Sequence, residues 1–346
     1  MNHPSPADTP ERRAFYERID RQHMTPLWSV LGDLVTPEPR SGCRPFAWSF
    51  DAIREAMIEA GGLITAREAE RRVLILENPG LRGQSRVTTS LYAGVQLVLP
   101  GEVAPAHRHT QSALRFVLEG EGAHTAVGGE RTTMRFGDFV LTPPMAWHDH
   151  GNESGAPMFW LDGLDIPVVS FLDASFAEGL GEDAQALTRE PGQSMAEYGH
   201  AMLPDGAERR PHSPLFNYPY ARARESLDAL ARGRDPDPCH GWRLHYSNPL
   251  DGGPAMATIG TALQMLPAGA TTPFRSTSAT VFVCTEGGGR SRVGGETLEW
   301  GPRDVLVVPS WAPVVHEPAE TSVLFSFNDK PIQDKLGLYR ERRGNA

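Results

Sequence analysis

The chain has 346 residues, of which 40% are hydrophobic and 22% charged, with 35 glycines and 30 prolines. This composition is typical of a folded, turn-rich protein built from many short strands, and it excludes disorder across the whole chain. The net charge of −10 argues against nucleic acid as a partner, because proteins that bind nucleic acid collect lysine and arginine on one surface.

Residues 1–87 are predicted to form a helical N-terminal arm. Thr9, Pro10 and Glu11 place a cap, a proline at the first helical position and an acid in the first turn, which begins a helix that runs to about residue 24. Ser49 is expected to cap a second helix, which the glycine pair 61–62 ends.

A third, short helix is predicted from a capping box. Thr65 and Glu68 have the spacing of this motif, in which the two side chains satisfy the first free backbone N–H groups of a helix. Arg67 and Arg71 are four residues apart and are expected to share one face of this helix. Together they could bind an anion, although most arginine pairs of this kind form a solvated helix face.

From residue 88 the hydrophobic pattern changes from the helical period to that of short strands separated by glycine-rich turns. The pattern predicts a small antiparallel barrel or sandwich. The predicted strands are 91–99, 113–118, 124–127, 131–134, 139–142 and 158–162.

Histidines in this region have the spacing of a metal site. His107 and His109 are two residues apart, so on a strand both imidazoles point to the same side of the sheet. His148 follows a glycine-rich turn and can bring a third imidazole across the sheet to the same point. The sequence therefore predicts a site with three histidine ligands.

The strand pattern recurs near the C-terminus, which predicts a tandem repeat of the barrel. Residues 127–130, Val-Gly-Gly-Glu, recur 166 residues later as 293–296, and Asp138 and Pro143 recur as Asp304 and Pro309. The barrels are assigned to residues 88–170 and 255–330. Residues 171–254 form a connecting segment with one helix at 223–232, and residues 331–346 form a C-terminal tail.

The second copy lacks the candidate ligands. His107 corresponds to Phe274, His109 to Ser276 and His148 to Val314. Only His316, opposite His150, remains, and one histidine is insufficient to bind a metal. The sequence thus predicts one metal site, in the first barrel, and a structural role for the second.

The cysteines and the lengths of the hydrophobic runs indicate the cellular compartment of the protein. Cys43, Cys239 and Cys284 are isolated, so neither a disulfide framework nor a cysteine-rich zinc site is expected. Residues 1–40 contain no apolar core of a signal peptide, and no run approaches the ~18 apolar residues of a membrane span. A cytoplasmic protein without a membrane partner is the prediction.

Two motifs resemble those of the cupin superfamily, which implies an all-β core and a bicupin fold. Its two tandem cupin barrels, each a double-stranded β-helix or jelly roll, would follow the helical N-terminal region. Ala113 stands where the usual cupin has a glutamate ligand, which leaves a neutral set of three histidines. The motif residues are Gly101, His107, His109 and Gly120, then Gly137, Pro143, Met145, His148 and Asn152.

Longer blocks resemble the gentisate 1,2-dioxygenase group of ring-cleaving enzymes, in which a degenerate second barrel is also found. The resemblance implies Fe(II) held by His107, His109 and His148, and cleavage of gentisate (2,5-dihydroxybenzoate) by O2 between C1 and C2, giving maleylpyruvate. It covers nearly the whole chain. The blocks are 91–96, 105–116, 147–152, 160–165, 213–216, 300–304 and 325–327.

Other functions stay open within and outside this group. The alternative substrates for the same chemistry are salicylate, a 5-substituted salicylate such as 5-nitrosalicylate, and 1-hydroxy-2-naphthoate. A non-enzymatic bicupin that binds or stores a ligand belongs to a different class, but storage bicupins usually lack a complete histidine set. Members of the group are commonly homotetramers, which we expect here too.

Three arginines are candidate substrate ligands. Arg115 lies one strand from the histidines, and its planar guanidinium suits a carboxylate. Arg67 and Arg71 match positions where relatives place substrate-binding arginines. For Arg115 the alternative is a structural ion pair.

The remaining candidate residues would contact the substrate ring or its oxygens. His150, two residues from His148, would orient or protonate a substrate oxygen, unless it makes only a structural hydrogen bond. Asp162 resembles a pocket acid that could anchor a histidine or receive the phenolic proton. Tyr92, Gly94 and Gln96 alternate along one strand face and would form the pocket wall, where ring substituents are discriminated.

Overall fold

The computed structural model describes residues 9–344, which divide into two compact units, one ending at Arg40 and the other beginning at Ser41. The first unit contains α1 (Pro10–Asp20) and α2 (Leu27–Leu34). Thr9 caps α1 as predicted, with its side chain accepting from Arg12 N. The helix ends before the predicted residue 24, because His23 adopts a left-handed conformation (φ 57°).

The second unit opens with an arm that combines helices with strands: β1 (Phe46–Trp48), α3 (Phe50–Leu63), α4 (Ala66–Ala69), β2 (Val73–Ile75) and a 3-10 turn. The prediction of a purely helical arm is wrong at β1 and β2, which are too short to show a period. Helix α3 continues through the glycine pair to Leu63, and the side chain of Ser49 makes no capping hydrogen bond.

The first barrel confirms the predicted strands to within two residues at each end. Its strands pair antiparallel in two sheets, which with strands from other segments have the orders β12-β8-β5-β10-β3-β2 and β11-β4-β9-β6-β7. The barrel strands are β3 (Tyr92–Val98), β4 (Val103–His109), β5 (Ala113–Glu119), β6 (Ala123–Val127), β7 (Glu130–Thr133), β8 (Phe139–Thr142), β9 (His148–Asn152) and β10 (Met158–Leu164).

The connecting segment is ordered and contributes strands to both barrels. The predicted helix at 223–232 is confirmed as part of α7. The elements are α5 (Ile166–Phe171), β11 (Ala177–Gly179), α6 (Gln193–Tyr198), β12 (Asn217–Tyr218), α7 (Tyr220–Gly233) and β13 (Trp242–His245).

The second barrel repeats the first. Its sheets have the orders β1-β19-β16-β21-β14-β13 and β18-β17-β20-β15-β22. The strands are β14 (Gly260–Leu266), β15 (Phe274–Ser276), β16 (Thr280–Glu286), β17 (Gly289–Val293), β18 (Glu296–Trp300), β19 (Val305–Val308), β20 (Val314–Pro318) and β21 (Ser322–Asn328), followed by α8 (Lys330–Lys335) and β22 (Glu341–Arg343).

The repeat extends beyond the barrels to the segments that precede them. Strand β1 pairs with β19 of the second barrel, whereas β12 pairs with β8 of the first, so each arm gives a strand to the other half. Strands β2 and β13 pair with β3 and β14 of their own halves. Helices α3 and α7 both have 14 residues. The connecting segment is therefore the structural counterpart of the N-terminal arm.

The repeated aspartates cap these two helices. Asp304 Oδ1 accepts from Phe50 N at the start of α3 (2.8 Å), and Asp138 Oδ1 accepts from Tyr220 N at the start of α7 (2.9 Å). A carboxylate there satisfies a free N–H and favours the positive end of the helix dipole. Asp304 thus attaches the N-terminal arm to the second barrel, and Asp138 attaches the connecting segment to the first barrel.

A continuous core lies between the two six-stranded sheets. Phe116 of β5 stacks on Phe325 of β21 with ring centroids 4.0 Å apart. Leu114, Phe116 and Leu118 belong to this core, so the strand alternation turns Arg115 to the opposite face, inside the first barrel. All three cysteines are free and buried. None of the helices between residues 9 and 344 is long and apolar enough to cross a membrane.

Candidate metal centre and substrate site

The three predicted histidines converge inside the first barrel. His107 and His109 lie on β4 and His148 on β9, in the same sheet, with His107 paired in register with His148. One ring nitrogen from each lies within 4.8 Å of the other two. Arg108, between the first two, ion-pairs with Glu178 and lies over the Trp147 ring. Strand alternation thus separates the histidines from the charged outer face.

Backbone carbonyls orient the imidazoles. The Nδ1 atoms of His109 and His148 lie 2.9 Å from Gln111 O and 3.0 Å from Ala146 O, whereas Nδ1 of His107 lies 3.4 Å from Pro105 O and also contacts the guanidinium of Arg71. A ring that donates Nδ1–H keeps its lone pair on Nε2, which is the usual arrangement at a metal.

Burial keeps the three rings neutral. It lowers the pKa of His107 to about 3, with Arg71 adding to the effect, and the pKa of His109 to about 4. The pKa of His148 is also held well below its ordinary value by burial. Neutral imidazole is the form that binds metals, so these residues are competent ligands at neutral pH.

The donor set fits a divalent transition metal. Imidazole suits iron, zinc, copper and nickel, and three ligands leave coordination positions for other molecules. No carboxylate joins the three histidines in the described part of the chain. Ala113, at the position of the cupin glutamate, is buried on β5 and has no donor atom.

A buried arginine–carboxylate pair faces the barrel interior. Arg115 and Asp162 are opposite one another on β5 and β10, with Nε 3.7 Å from Oδ1. Arg115 Nη1 donates to Thr142 Oγ1 (2.7 Å), but its Nε has no hydrogen-bond partner among the described residues. Asp162 accepts from Trp160 Nε1 (3.0 Å) rather than from a histidine. Burial raises the pKa of Asp162 to about 6, although Arg115 opposes this.

The predicted pocket wall lies beside this pair. Gly94 of β3 pairs in register with Asp162, and a Cβ atom at Gly94 would lie 2.8 Å from the Tyr92 hydroxyl and 2.5 Å from Val73 Cγ1. Glycine is therefore needed to accommodate the Tyr92 side chain. Gln96 is buried and makes no side-chain hydrogen bond to another described residue, so its amide is free to bind a ligand.

His150 is fully buried behind the three histidines. Its Nδ1 lies 2.8 Å from Thr125 Oγ1, and its ring centroid lies 5.8 Å from that of His148. Burial holds its pKa well below the ordinary value, with Arg115 contributing, so the ring is neutral. This contact fixes the orientation of the ring and leaves Nε2 for another partner.

The expected Arg67–Arg71 pair is not formed. Helix α4 ends at Ala69, and Glu70 adopts a positive φ of 53°, so Arg71 lies beyond the helix. Arg71 contacts His107 Nδ1 and donates to Pro105 O (2.5 Å), whereas Arg67 is exposed on α4. The capping box itself is confirmed. Only Arg71 of this pair therefore reaches the histidines.

Sequence reasoning missed a glutamine that anchors the connecting segment to the metal strands. Gln185 Nε2 donates to Asp149 Oδ2, Trp147 O and Ala126 O, each at 3.1 Å, and Oε1 accepts from Gly129 N at 2.8 Å. Gln185 N also donates to Asp149 Oδ2 (3.0 Å). These bonds hold both sides of His148. No period or motif marks this residue.

Comparison with known proteins agrees with this geometry. The cupin domain profile matches residues 94–164. Gentisate 1,2 dioxygenase 1 of Aquipseudomonas alcaligenes is 56% identical over 340 residues, which is 98% of each chain. The chain belongs to the gentisate 1,2-dioxygenase family. The expectations of a bicupin fold and of a dioxygenase are thereby confirmed.

Other members of the family act on different aromatic acids. The 5-aminosalicylate 1,2-dioxygenase of a Comamonas species is 37% identical, covering 99% of this chain and 92% of the relative. The crystal structure of salicylate 1,2-dioxygenase from Pseudoaminobacter salicylatoxidans with gentisate superposes with a TM-score of 0.93, at 35% identity, over 99% and 96% of the chains. Procruciferin, an 11S globulin of Brassica napus, is only 13% identical and shares the fold alone.

Proposed function

We propose that the protein cleaves the ring of gentisate between C1 and C2 with O2, using Fe(II), and releases maleylpyruvate. The observation that carries the proposal is the convergence of three neutral histidines inside the barrel that also holds Arg115 and Asp162. Metal ligands, a cation for the substrate carboxylate and a proton acceptor are thus close together. The identity of 56% with a gentisate 1,2-dioxygenase favours gentisate over the other acids.

His107, His109 and His148 would hold the iron through Nε2. Bound Fe(II) supplies the redox chemistry that lets O2 react with an aromatic ring, and three protein ligands leave room for an acid that chelates through its carboxylate and neighbouring hydroxyl. The backbone carbonyls at Nδ1 fix the rings of His109 and His148 before the metal binds. His150, with Nδ1 engaged by Thr125, would orient the substrate oxygens.

Arg115 would bind the substrate carboxylate. Its guanidinium is fully buried and its Nε is unpartnered, so it keeps donors for a bidentate contact in a desolvated site where ionic hydrogen bonds are strong. Arg71 would add a second positive charge at the histidines. We assign Arg67 no contact with the substrate, because it lies exposed on α4.

Asp162 would receive the proton of the phenolic hydroxyl as the substrate chelates. A carboxyl with a pKa of about 6 is ionised at neutral pH and still basic enough to take a proton. Trp160 fixes one of its oxygens. Tyr92, Gly94 and Gln96 would contact the ring and its substituents, which makes this wall the place where gentisate and salicylates are distinguished.

The test is reconstitution of the metal-free protein with Fe(II) under nitrogen, followed by air and a panel of acids: gentisate, salicylate, 5-aminosalicylate, 5-nitrosalicylate and 1-hydroxy-2-naphthoate. Oxygen uptake and the absorbance of the ring-opened product should be fastest with gentisate. Faster turnover of another acid would change the substrate, and no uptake with any of them would overturn the dioxygenase and favour a binding protein. Zn(II) reconstitution is the matched control, because zinc fits the ligands but has no redox chemistry.

We also propose that the chain forms a homotetramer in the cytoplasm. Several large apolar side chains are exposed on α2 and on the connecting segment, and such surfaces are often covered in oligomers. Light scattering at micromolar concentration should give four times the chain mass, and a monomer would contradict the proposal. The exposed residues include Leu27, Trp28, Leu34, Phe171, Leu172 and Phe176.

A further inference from the structure

The second barrel contains a polar cavity of about 100 Å³ although it lacks the histidine ligands. The cavity is lined by side chains that project from β13, β14, β16 and β21 and by the segment after β21. Those used below are His240, Arg243, Gln264, Lys330, Tyr339 and Glu341. Nothing in the proposed dioxygenase chemistry uses this cavity.

The cavity of the second barrel has an arginine on a different strand from that of the first barrel: Arg243 lies on β13, whereas Arg115 lies on β5. Arg243 of β13 pairs in register with Gln264, just as Val73 pairs with Gln96 in the first barrel. Gln96 and Gln264 are both the fifth residue of a seven-residue strand, so they are counterparts. The arginine of the first barrel, Arg115, is replaced in the second by Phe282. The second barrel therefore has an interior arginine of its own.

Arg243 is the charge in this cavity that lacks a partner. It makes no hydrogen bond or ion pair with any other described residue, whereas Lys330 pairs with Asp334 (2.5 Å). Glu341 is engaged by Tyr339 and by Arg343, each at 2.7 Å. Arg243 is half-buried, and the carboxylate of Glu341 acts on it only from beyond ion-pair distance, so its guanidinium keeps donors for an anion.

Two further side chains of the cavity have a nitrogen without a hydrogen-bond partner. Gln264 Nε2 has no hydrogen-bond partner among the described residues, and neither does His240 Nε2, which lies 3.6 Å from Glu341 Oε2. Gln264 and His240 are only 2% and 3% exposed. Buried polar groups are rarely left unpaired, so the free amide of Gln264 beside the unpaired Arg243 indicates a missing acceptor.

The size of the cavity limits the ligand. Its volume of about 100 Å³ is several times the ~10–15 Å³ that one water molecule requires, so it admits a small ligand of a few heavy atoms. A neighbouring cavity of about 250 Å³ shares His240, Arg243 and His245 with it and is lined further out by Arg234 and Trp242. Arg243 thus stands between the inner cavity and the larger one, which offers a path for entry.

We propose that the second barrel binds a small carboxylate of the size of acetate, held by the guanidinium of Arg243 and by the side chains of Gln264 and His240. A carboxylate is planar and matches the two parallel N–H groups of arginine. It carries one negative charge, which is what one free guanidinium neutralises. Phosphate carries up to two negative charges, which is more than one free guanidinium neutralises.

The experiment compares thermal unfolding of the iron-loaded enzyme in 50 mM sodium acetate and in sodium chloride of equal ionic strength. Acetate at the metal would affect all variants alike, so the difference between wild type and Arg243→Gln isolates the second barrel. For a Kd of about 10 mM, the acetate-dependent rise in Tm should be about 2 °C greater in wild type. Arg234→Gln, in the outer cavity only, should behave as wild type, and Gln264→Leu should lose part of the effect.

Crystals of the wild-type enzyme soaked in acetate give a second readout that needs no variant. Density for acetate within hydrogen-bond distance of Arg243 is expected. Equal Tm shifts in wild type and Arg243→Gln, or no density at Arg243, would overturn the site. A larger shift with phosphate than with acetate would overturn the carboxylate assignment. The Tm shifts and the soaked crystals do not measure turnover. They therefore test the acetate site even if the dioxygenase assay fails.

Discussion

The two barrels have the same strands and the same turn aspartates, yet their interiors differ. The first presents His107, His109 and His148, and the second presents Phe274, Ser276 and Val314 at the corresponding positions. One feature is common to both: His150 lies 2.8 Å from Thr125 Oγ1, and His316 lies 2.8 Å from Ser291 Oγ. The hydroxyl–histidine contact therefore belongs to the barrel and does not depend on a metal.

This difference distinguishes the residues that belong to the barrel fold from those that carry out the reaction. The anchoring of His150 recurs where no metal ligands exist, so its hydrogen bond alone is no evidence of catalysis. The three ligands, Arg115 and Asp162 have no equivalents in the second barrel, where Phe282 and Ser326 occupy the last two positions. The residues to which we assign metal binding, carboxylate binding and proton transfer all differ between the halves.

Exchange of a ligand should have the largest effect. His148→Ala removes one of three ligands, and we expect oxygen uptake to fall at least ~1000-fold because iron is no longer held in reactive geometry. The matched change in the second barrel, Val314→Ala, removes only two methyl groups and should keep activity within about threefold. Similar losses in both variants would mean that His148 acts through folding, which circular dichroism would check.

Arg115→Gln is expected to have the next largest effect. Loss of a buried, charge-assisted contact worth about 3 kcal/mol should raise KM for gentisate roughly 100-fold. Arg115→Lys keeps the positive charge but loses the planar guanidinium that forms two parallel hydrogen bonds, so it should recover only part of the affinity. An unchanged KM in Arg115→Gln, measured from initial rates of oxygen uptake, would leave Arg115 as a structural partner of Asp162.

The pH profile tests Asp162. Its raised pKa of about 6 means that the carboxyl is protonated at lower pH, so kcat/KM should fall about tenfold per unit below pH 6. Above pH 6 the carboxylate is ionised and this group limits the rate no further. Asp162→Asn should be slower and should lack this limb. A limb that persists in Asp162→Asn must come from another group.

Gln185→Leu tests the anchor between the connecting segment and the metal strands. Loss of its side-chain hydrogen bonds removes one donor from Asp149 and from each of two backbone carbonyls beside His148, so we expect weaker iron binding, by about tenfold, and a lower Tm. Gln193→Leu, on α6 of the same segment, is the control and should keep iron affinity. Iron affinity is measured by competition with a chelator. If it is unchanged in Gln185→Leu, Gln185 contributes to folding stability and not to iron binding.

The smallest effect is expected at Gly94. The second barrel has Ala262 at this position, whereas a Cβ at Gly94 would meet the Tyr92 hydroxyl. Gly94→Ala should displace Tyr92 and change the ratio of kcat/KM for gentisate and salicylate several-fold, while Ala262→Gly leaves the ratio unchanged. A constant ratio in Gly94→Ala would exclude this wall from substrate discrimination.

The long strands and the ligands could be predicted because their signals are local. Alternation over five or more residues identifies β3, β5 and β10, and the spacing of His107 and His109 places them on one side of β4. Strands β1, β2 and β12 have two or three residues and form only by pairing with distant strands. Their sequences carry too few residues for a period.

Other features depend on contacts that sequence spacing does not contain. The repeated Asp138 and Asp304 were visible, but their helix-capping role joins residues 82 and 254 positions apart. The shared face of Arg67 and Arg71 assumed a helix that continues, whereas Glu70 ends it with a positive φ. Gln185 lies in irregular structure, where neither period nor motif indicates a partner.

The most direct test of the account is the iron content of the wild-type enzyme after reconstitution under nitrogen and removal of unbound metal. We expect one iron per chain, held in the first barrel, and none tightly bound in His148→Ala. Two irons per chain, or a full equivalent retained by His148→Ala, would contradict the assignment of a single metal centre to His107, His109 and His148.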